Sequence, residues 1–164
     1  MNVLEFKKKI TPAFRKRLAF NALIAPYVEY ISLKGTRVGL EWAYADHIDA
    51  SEITDRIPFT PTGLRFTRFL AGNFIAPHVD DSKTRTSCLS VALLPSLENF
   101  APVIYHNKLG SDAVVTQTYH YNLHPVILNT ANVHSMYNNV YDRYIFQIQY
   151  QEPIEMFIEY AQKS

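Results

Sequence analysis

Apolar positions near the N-terminus recur at helical spacing. Leu4, Phe6 and Ile10 begin the stripe, and Phe14, Leu18 and Ala22 continue it in steps of four before Pro26. Thr11-Pro12 stands where such a helix would start. A threonine oxygen can accept from an amide of the first turn, and proline there gives up only an amide that has no helical partner. Lys7, Lys8, Lys9 and Arg15, Lys16, Arg17 fall largely on the other side, the pattern of a solvated face. From about residue 36 the period drops to two, which predicts strands over Arg37–Tyr44, Leu64–Ala71, Thr86–Leu94, Pro102–His106, Ala113–Tyr119, Val126–Leu128 and Arg143–Tyr150. Pro58, Pro61, Pro77, Pro95, Pro102, Pro125 and Pro153 lie between or at the ends of these runs, where a missing amide donor does least damage.

The run from Arg143 to Tyr150 is the most informative. Alternation puts Arg143, Ile145, Gln147 and Gln149 on one face and Tyr144, Phe146, Ile148 and Tyr150 on the other. Helices can cover the aromatic face. The more polar face then lines the interior, a costly arrangement unless those groups hold something. Helix followed by many strands predicts a mostly β fold, a β-sandwich or jelly-roll barrel with N-terminal helices packed on one sheet. The expected division is a helical layer over 1–35 and a β core over 36–164, within one domain.

Composition narrows the function classes. Apolar residues are 48% and charged residues 19% of 164, enough for a sizeable core and against wholesale disorder. The net charge of +1 offers no global field for nucleic acid or an acidic membrane surface. A single cysteine, Cys88, excludes an intramolecular disulfide and a cysteine-based zinc cluster, and its neighbours give it a structural reading. With no basic start leading into an apolar run, and no apolar stretch of spanning length, the expectation is a reduced, cytoplasmic protein without a membrane segment. Five glycines leave little room for a phosphate loop, and neither Gly-x-Ser-x-Gly nor Gly-x-Gly-x-x-Gly occurs.

The candidate chemistry begins at Ala76-Pro77-His78-Val79-Asp80-Asp81. In an extended segment, residues two apart project to one side, so His78 and Asp80 can present an imidazole nitrogen and a carboxylate oxygen to one metal while Asp81 points away. By itself the pair says little. A second His-x-Asp, His47-Ile48-Asp49, sits in a polar stretch that reads as loop or short helix. The first pair gains weight from its company: His134 follows Asp80 by 54 residues, and Arg143 follows His134 by nine. His106, His120 and His124 have no ligand spacing that fits, and Asn138-Asn139 reads as a turn.

That order, His-x-Asp, a distal His and an Arg opening a strand, resembles the Fe(II)/2-oxoglutarate-dependent oxygenases, with the small prolyl- and aspartyl/asparaginyl-hydroxylase-like branches the most similar. The likeness covers about residues 64–150 and is one of motifs, not of the whole chain. It implies a double-stranded β-helix, or jelly roll, with Fe(II) on His78, Asp80 and His134 and with 2-oxoglutarate as co-substrate. Two imidazoles and a carboxylate on one face of the metal leave open positions for a 2-oxo acid and dioxygen. Arg143 is implied as the permanent, forked cation for the far carboxylate. The implied activity is hydroxylation of an amino acid, a peptidyl residue or a small metabolite, with succinate and carbon dioxide released and ascorbate as reductant.

Departures from the family pattern are specific. Many members carry a hydroxyl residue two positions after the arginine, where this chain has Ile145, so Tyr105 or Thr116 would have to assist. Some members use a second arginine soon after the first motif, and Arg85 is the candidate there. The second arginine of the nucleic-acid demethylases is absent from Arg143-Tyr144-Ile145-Phe146-Gln147-Ile148-Gln149, which disfavours a nucleic-acid substrate. Segments Glu41–Phe59 and Glu98–His124 flank the expected barrel mouth, with Trp42, Tyr119 and Tyr121 as candidate pocket aromatics. The competing reading is a jelly-roll binding or scaffold protein without turnover.

Overall fold

The computed structural model describes residues 1–31, 37–80, 86–137 and 140–163. Arg85, Asp81 and the expected turn at Asn138-Asn139 lie outside them. Among the described residues, eleven strands and three α-helices follow one another as β1 (Val3–Glu5), α1 (Pro12–Ile24), β2 (Val28–Ile31), β3 (Arg37–Tyr44), α2 (Ser51–Thr54), β4 (Gly63–Phe69), β5 (Phe74–His78), β6 (Ser87–Leu94), β7 (Val103–His106), β8 (Val115–Tyr119), β9 (Val126–Asn129), β10 (His134–Tyr137), β11 (Arg143–Tyr150) and α3 (Ile154–Lys163). The expectation that 1–35 is a helical layer is corrected here. Among its described residues one helix is flanked by β1 and β2, which join opposite edges of the larger sheet.

The strands form two antiparallel sheets, a seven-stranded one ordered β1-β9-β6-β11-β4-β3-β2 and a four-stranded one ordered β5-β10-β7-β8. From β4 onward the chain crosses repeatedly between them, so neighbours in space are distant in sequence. Each sheet uses its period of two. On β11, Phe146, Ile148 and Tyr150 join Phe66, Leu89, Val91 and Ile127 in a core that also contains Phe14, Leu18 and Ala22 of α1 and Ile154 and Phe157 of α3. Thr11 caps α1 as its sequence predicts, accepting from the Phe14 amide at 3.3 Å, and its own hydroxyl donates to Glu52 at 2.8 Å.

The opposite face of the large sheet looks toward the small one. Ala92, Val126, Leu128 and Ile145 pack there with Val103, Tyr105 and Tyr119 of the small sheet and with Phe100 and Tyr121 from its connections. This second core closes only part of the space between the sheets. The rest is a cavity of about 670 Å³. Among the described residues, no helix is long and apolar enough to cross a membrane.

Candidate functional site

Strand register builds one end of the cavity. Antiparallel β10 lies between β5 and β7, and His134 stands directly opposite both His78 and Tyr105. Residues opposed in this way project to the same face. The two imidazoles come within 4.4 Å, centre to centre, and the Tyr105 ring lies 6.0 Å from His134. Asp80 follows β5 by two residues and is pinned by its main chain, whose amide donates to the Thr130 carbonyl at 3.0 Å beyond the end of β9. As a result, one ligand-capable atom from each of His78, Asp80 and His134 lies within 4.8 Å of the others, with His78 Nε2 3.4 Å from Asp80 Oδ1.

The cluster suits a metal in its chemistry as well as its spacing. Two ligands of one ion at about 2.1 Å stand roughly 3–4 Å apart, so the widest separation, up to 4.8 Å, needs to close by about 1–2 Å. His78 Nδ1 is 2.9 Å from the Ala76 carbonyl, and His134 Nδ1 is 2.8 Å from the Asn132 carbonyl. A carbonyl only accepts, so each Nδ1 carries the proton and each Nε2 presents a lone pair to the cluster. The second His-x-Asp makes no such site. Asp49 instead caps Ser51 at the start of α2, accepting its amide at 3.0 Å.

Arg143 closes the other end. Its guanidinium is 1% exposed, flanked by Phe69 and Phe100 at 5.4 and 5.3 Å from the ring centres, and burial pushes its pKa down. Nη1 donates to the Ala101 carbonyl at 2.9 Å, Nη2 meets the Met136 thioether at 2.6 Å, and Nε has no hydrogen-bond partner. Sulfur is a weak acceptor. Among the described residues no carboxylate pairs with this cation, which leaves a buried charge facing a cavity without a counterion.

Between these ends the large sheet presents successive rungs to the cavity. Leu40, Phe69 and Arg143 form one, and Trp42, Thr67, Ile145 and Ala92 the next. Arg65 and Gln147 follow, with Arg65 Nε and the Thr67 hydroxyl both donating to Gln147 Oε1 at 2.8 and 2.7 Å. Tyr105 lines the cavity at the metal end, and burial holds its phenol far above the ordinary value, so it remains a neutral donor. Thr116, the other expected assistant, is exposed on β8 and does not line the cavity. Trp42 and Tyr121 are cavity aromatics, whereas Tyr119 packs in the second core. Met136, the paired carbonyls of Ala76 and Asn132 and the polar rung at Arg65 are contributions that motif reading does not find. Only the shared face of Arg143 and Gln147 signals any of them in advance.

No protein-family profile matches this chain, and no curated protein matches it either. Solved structures do. A prolyl-4-hydroxylase from Pseudomonas putida is similar over 92% of this chain and 93% of its own, with a TM-score of 0.66 at 11% identity. An oxidoreductase of the 2OG-Fe(II) oxygenase family from Burkholderia pseudomallei is similar over 91% and 84%, with a TM-score of 0.61 at 10% identity. HygX from Streptomyces hygroscopicus, solved with nickel, 2-oxoglutarate and hygromycin B bound, is similar over 90% and 82%, with a TM-score of 0.59 at 12% identity. The fold is therefore shared with the oxygenases that the motif order resembles.

Proposed function

We propose that the protein is an Fe(II)- and 2-oxoglutarate-dependent dioxygenase that hydroxylates an amino acid, a peptidyl residue or another small metabolite, releasing succinate and carbon dioxide. In this reading β4 to β11 are the eight strands of a double-stranded β-helix, and His78, Asp80 and His134 hold the iron. Arg143 binds the far carboxylate of the co-substrate, Tyr105 assists nearer the metal, and Arg85 is a further cation from the segment after the first motif. One observation carries the reading: three ligand groups and a buried cation with no carboxylate partner among the described residues share a single cavity.

Iron with a 2-oxo acid supplies the redox chemistry that activates dioxygen. The chain's own residues do the rest. The Ala76 and Asn132 carbonyls keep both imidazoles in the tautomer that ligates, and Asp80 offsets part of the metal's charge. Phe69, Phe100 and Ile145 exclude water around Arg143, which strengthens its attraction for a carboxylate. Leu40 and Trp42 give the target an apolar wall, opposite the small-sheet residues that carry the ligands.

Anaerobic titration with Fe(II) and then 2-oxoglutarate tests this directly. The expected result is a weak visible charge-transfer band in the wild type and none in Asp80→Ala. With dioxygen and ascorbate, wild type should convert 2-oxoglutarate to succinate slowly even without a target. No band, and succinate no higher than in Asp80→Ala, would mean a non-catalytic jelly roll.

A further inference from the structure

The wall across the cavity from the two imidazoles carries one clamped amide. β5 touches β3, and Tyr119 of β8 packs with Val3 of β1 and Val126 of β9. β10, which lies between β5 and β7, therefore crosses the middle of the large sheet, where β4 and β11 run. Two ties bracket the level. At one end Arg143 Nη2 meets the Met136 sulfur at 2.6 Å. At the other the Asp80 amide donates to the Thr130 carbonyl, the Thr130 amide to that of Thr86 and the Thr86 amide to that of Tyr150, at 3.0, 3.2 and 3.1 Å. His134 stands between these ties on the small sheet, and Gln147 stands between them on the large one, lining the same cavity.

Gln147 Oε1 is 2.8 Å from Arg65 Nε and 2.7 Å from the Thr67 hydroxyl. An arginine nitrogen only donates, which fixes the oxygen on that side of the amide, and the Thr67 hydroxyl must then donate too. Both lone pairs of the oxygen are used, and the Nε2 hydrogens are turned away from β4. Nε2 has no hydrogen-bond partner among the described residues, and the side chain is half-buried. A polar trio beside Leu40, Trp42 and Ile145 costs desolvation that apolar side chains would not, so its orientation calls for a ligand. Access is from the same side. Arg65 and Trp42 also line a neighbouring pocket of about 260 Å³ bounded by Tyr44, Asp46 and Gln149, and Tyr44 is exposed.

We propose that Gln147 recognises the target molecule, its Nε2 hydrogens donating to an acyl oxygen, carbonyl or carboxylate, of a compound whose apolar body rests on Leu40 and Trp42. Arg65 and Thr67 are positioning residues that keep the amide from turning over. This names the substrate class of the dioxygenase reading and rests on it. An amine of the same shape is rejected, because its hydrogens find no acceptor at Gln147.

The test uses anaerobic, Mn(II)-loaded protein saturated with 2-oxoglutarate and three probes with one apolar body: isovalerate, N,N-dimethylisovaleramide and isopentylamine. The metal's unpaired electrons speed the relaxation of any probe protons held beside it, which nuclear magnetic resonance reads without turnover. Wild type should relax the acyl probes and not the amine; isovalerate alone or the amide alone also supports the proposal and says which oxygen is recognised. Gln147→Met should weaken acyl binding roughly three- to tenfold, the worth of one hydrogen bond. Gln147→Glu still accepts from Arg65 and Thr67, so its melting temperature should not fall, yet it should lose isovalerate and admit isopentylamine. Three probes treated alike, none relaxed, unchanged acyl binding in Gln147→Met, or a larger loss of 2-oxoglutarate than of probe affinity in that variant each overturns the proposal while the dioxygenase reading stands. A wild type that holds Mn(II) but does not bind 2-oxoglutarate in calorimetry overturns both.

Discussion

Replacing Arg143 by methionine should stabilise the ligand-free protein and weaken its co-substrate binding. The guanidinium is fully buried without a carboxylate partner among the described residues, and desolvating an ion costs several kcal/mol even after relaxation. Against this stand one hydrogen bond to the Ala101 carbonyl, about 1.5–3 kcal/mol for a charged donor, and two aromatic faces worth about 0.5–1 kcal/mol each. The balance favours methionine by about 1–3 kcal/mol, the range found when buried charges give way to apolar side chains of similar size. For a chain of this length that is a rise in melting temperature of roughly 2–12 °C. The same substitution removes two charge-assisted donors from a carboxylate, about 3 kcal/mol, or roughly a hundredfold in 2-oxoglutarate affinity. Thermal melts without ligand and calorimetry on the Mn(II)-loaded protein measure the two effects independently. A lower melting temperature with unchanged affinity would refute the reasoning, because it would show the cation serving the core and not a ligand.

Two further outcomes follow from other parts of the structure. Mn(II) at about a hundred times its dissociation constant should stabilise wild type by about 2.7 kcal/mol, roughly 5–10 °C in a thermal melt, and should leave Asp80→Ala and His134→Ala unmoved. Gly39→Ala should lower the melting temperature by at least about 4 °C, from about 2 kcal/mol of strain, because Gly39 has φ +68° and an added Cβ would lie 2.1 Å from Asn73 Cγ. Adding Asn73→Ala should return part of that loss in the same melt.

Local chemistry carried some of the molecule into plain view. Thr11-Pro12 announces α1 because capping and the missing proline amide are decided within one turn, and the alternation of β11 assigns Phe146 to the helices and Gln147 to the cavity because strand period needs no partner. Short edge elements stay hidden. The three residues of β1 and four of β2 are held by pairing with β9 and β3, and too few residues repeat to establish a period. α3 has a helical signal in Ile154, Phe157 and Ile158 after Pro153, but strand alternation leading into it masks the change of period. The convergence of His78, Asp80 and His134 was legible as an order of residue types, since their spacing reflects strand lengths. Tyr121 was not legible as packing on the Phe100 ring that flanks Arg143, because its place depends on where the chain lands after β8, and Thr116 is exposed because β8 is the outer strand of the small sheet.

The rung on which His78, His134 and Tyr105 stand side by side divides the chain into parts that can change length and parts that cannot. A deletion of one residue inside β10, with Met136 kept in its pairing, would turn His134 to the opposite face and bring Val133 into its place, so the ligand set tolerates no slippage there. Insertions at 107–114, between β7 and β8, or at 45–62, between β3 and β4, leave every rung in step. Loop growth can therefore remodel what enters the cavity while the residues that do the holding stay in register.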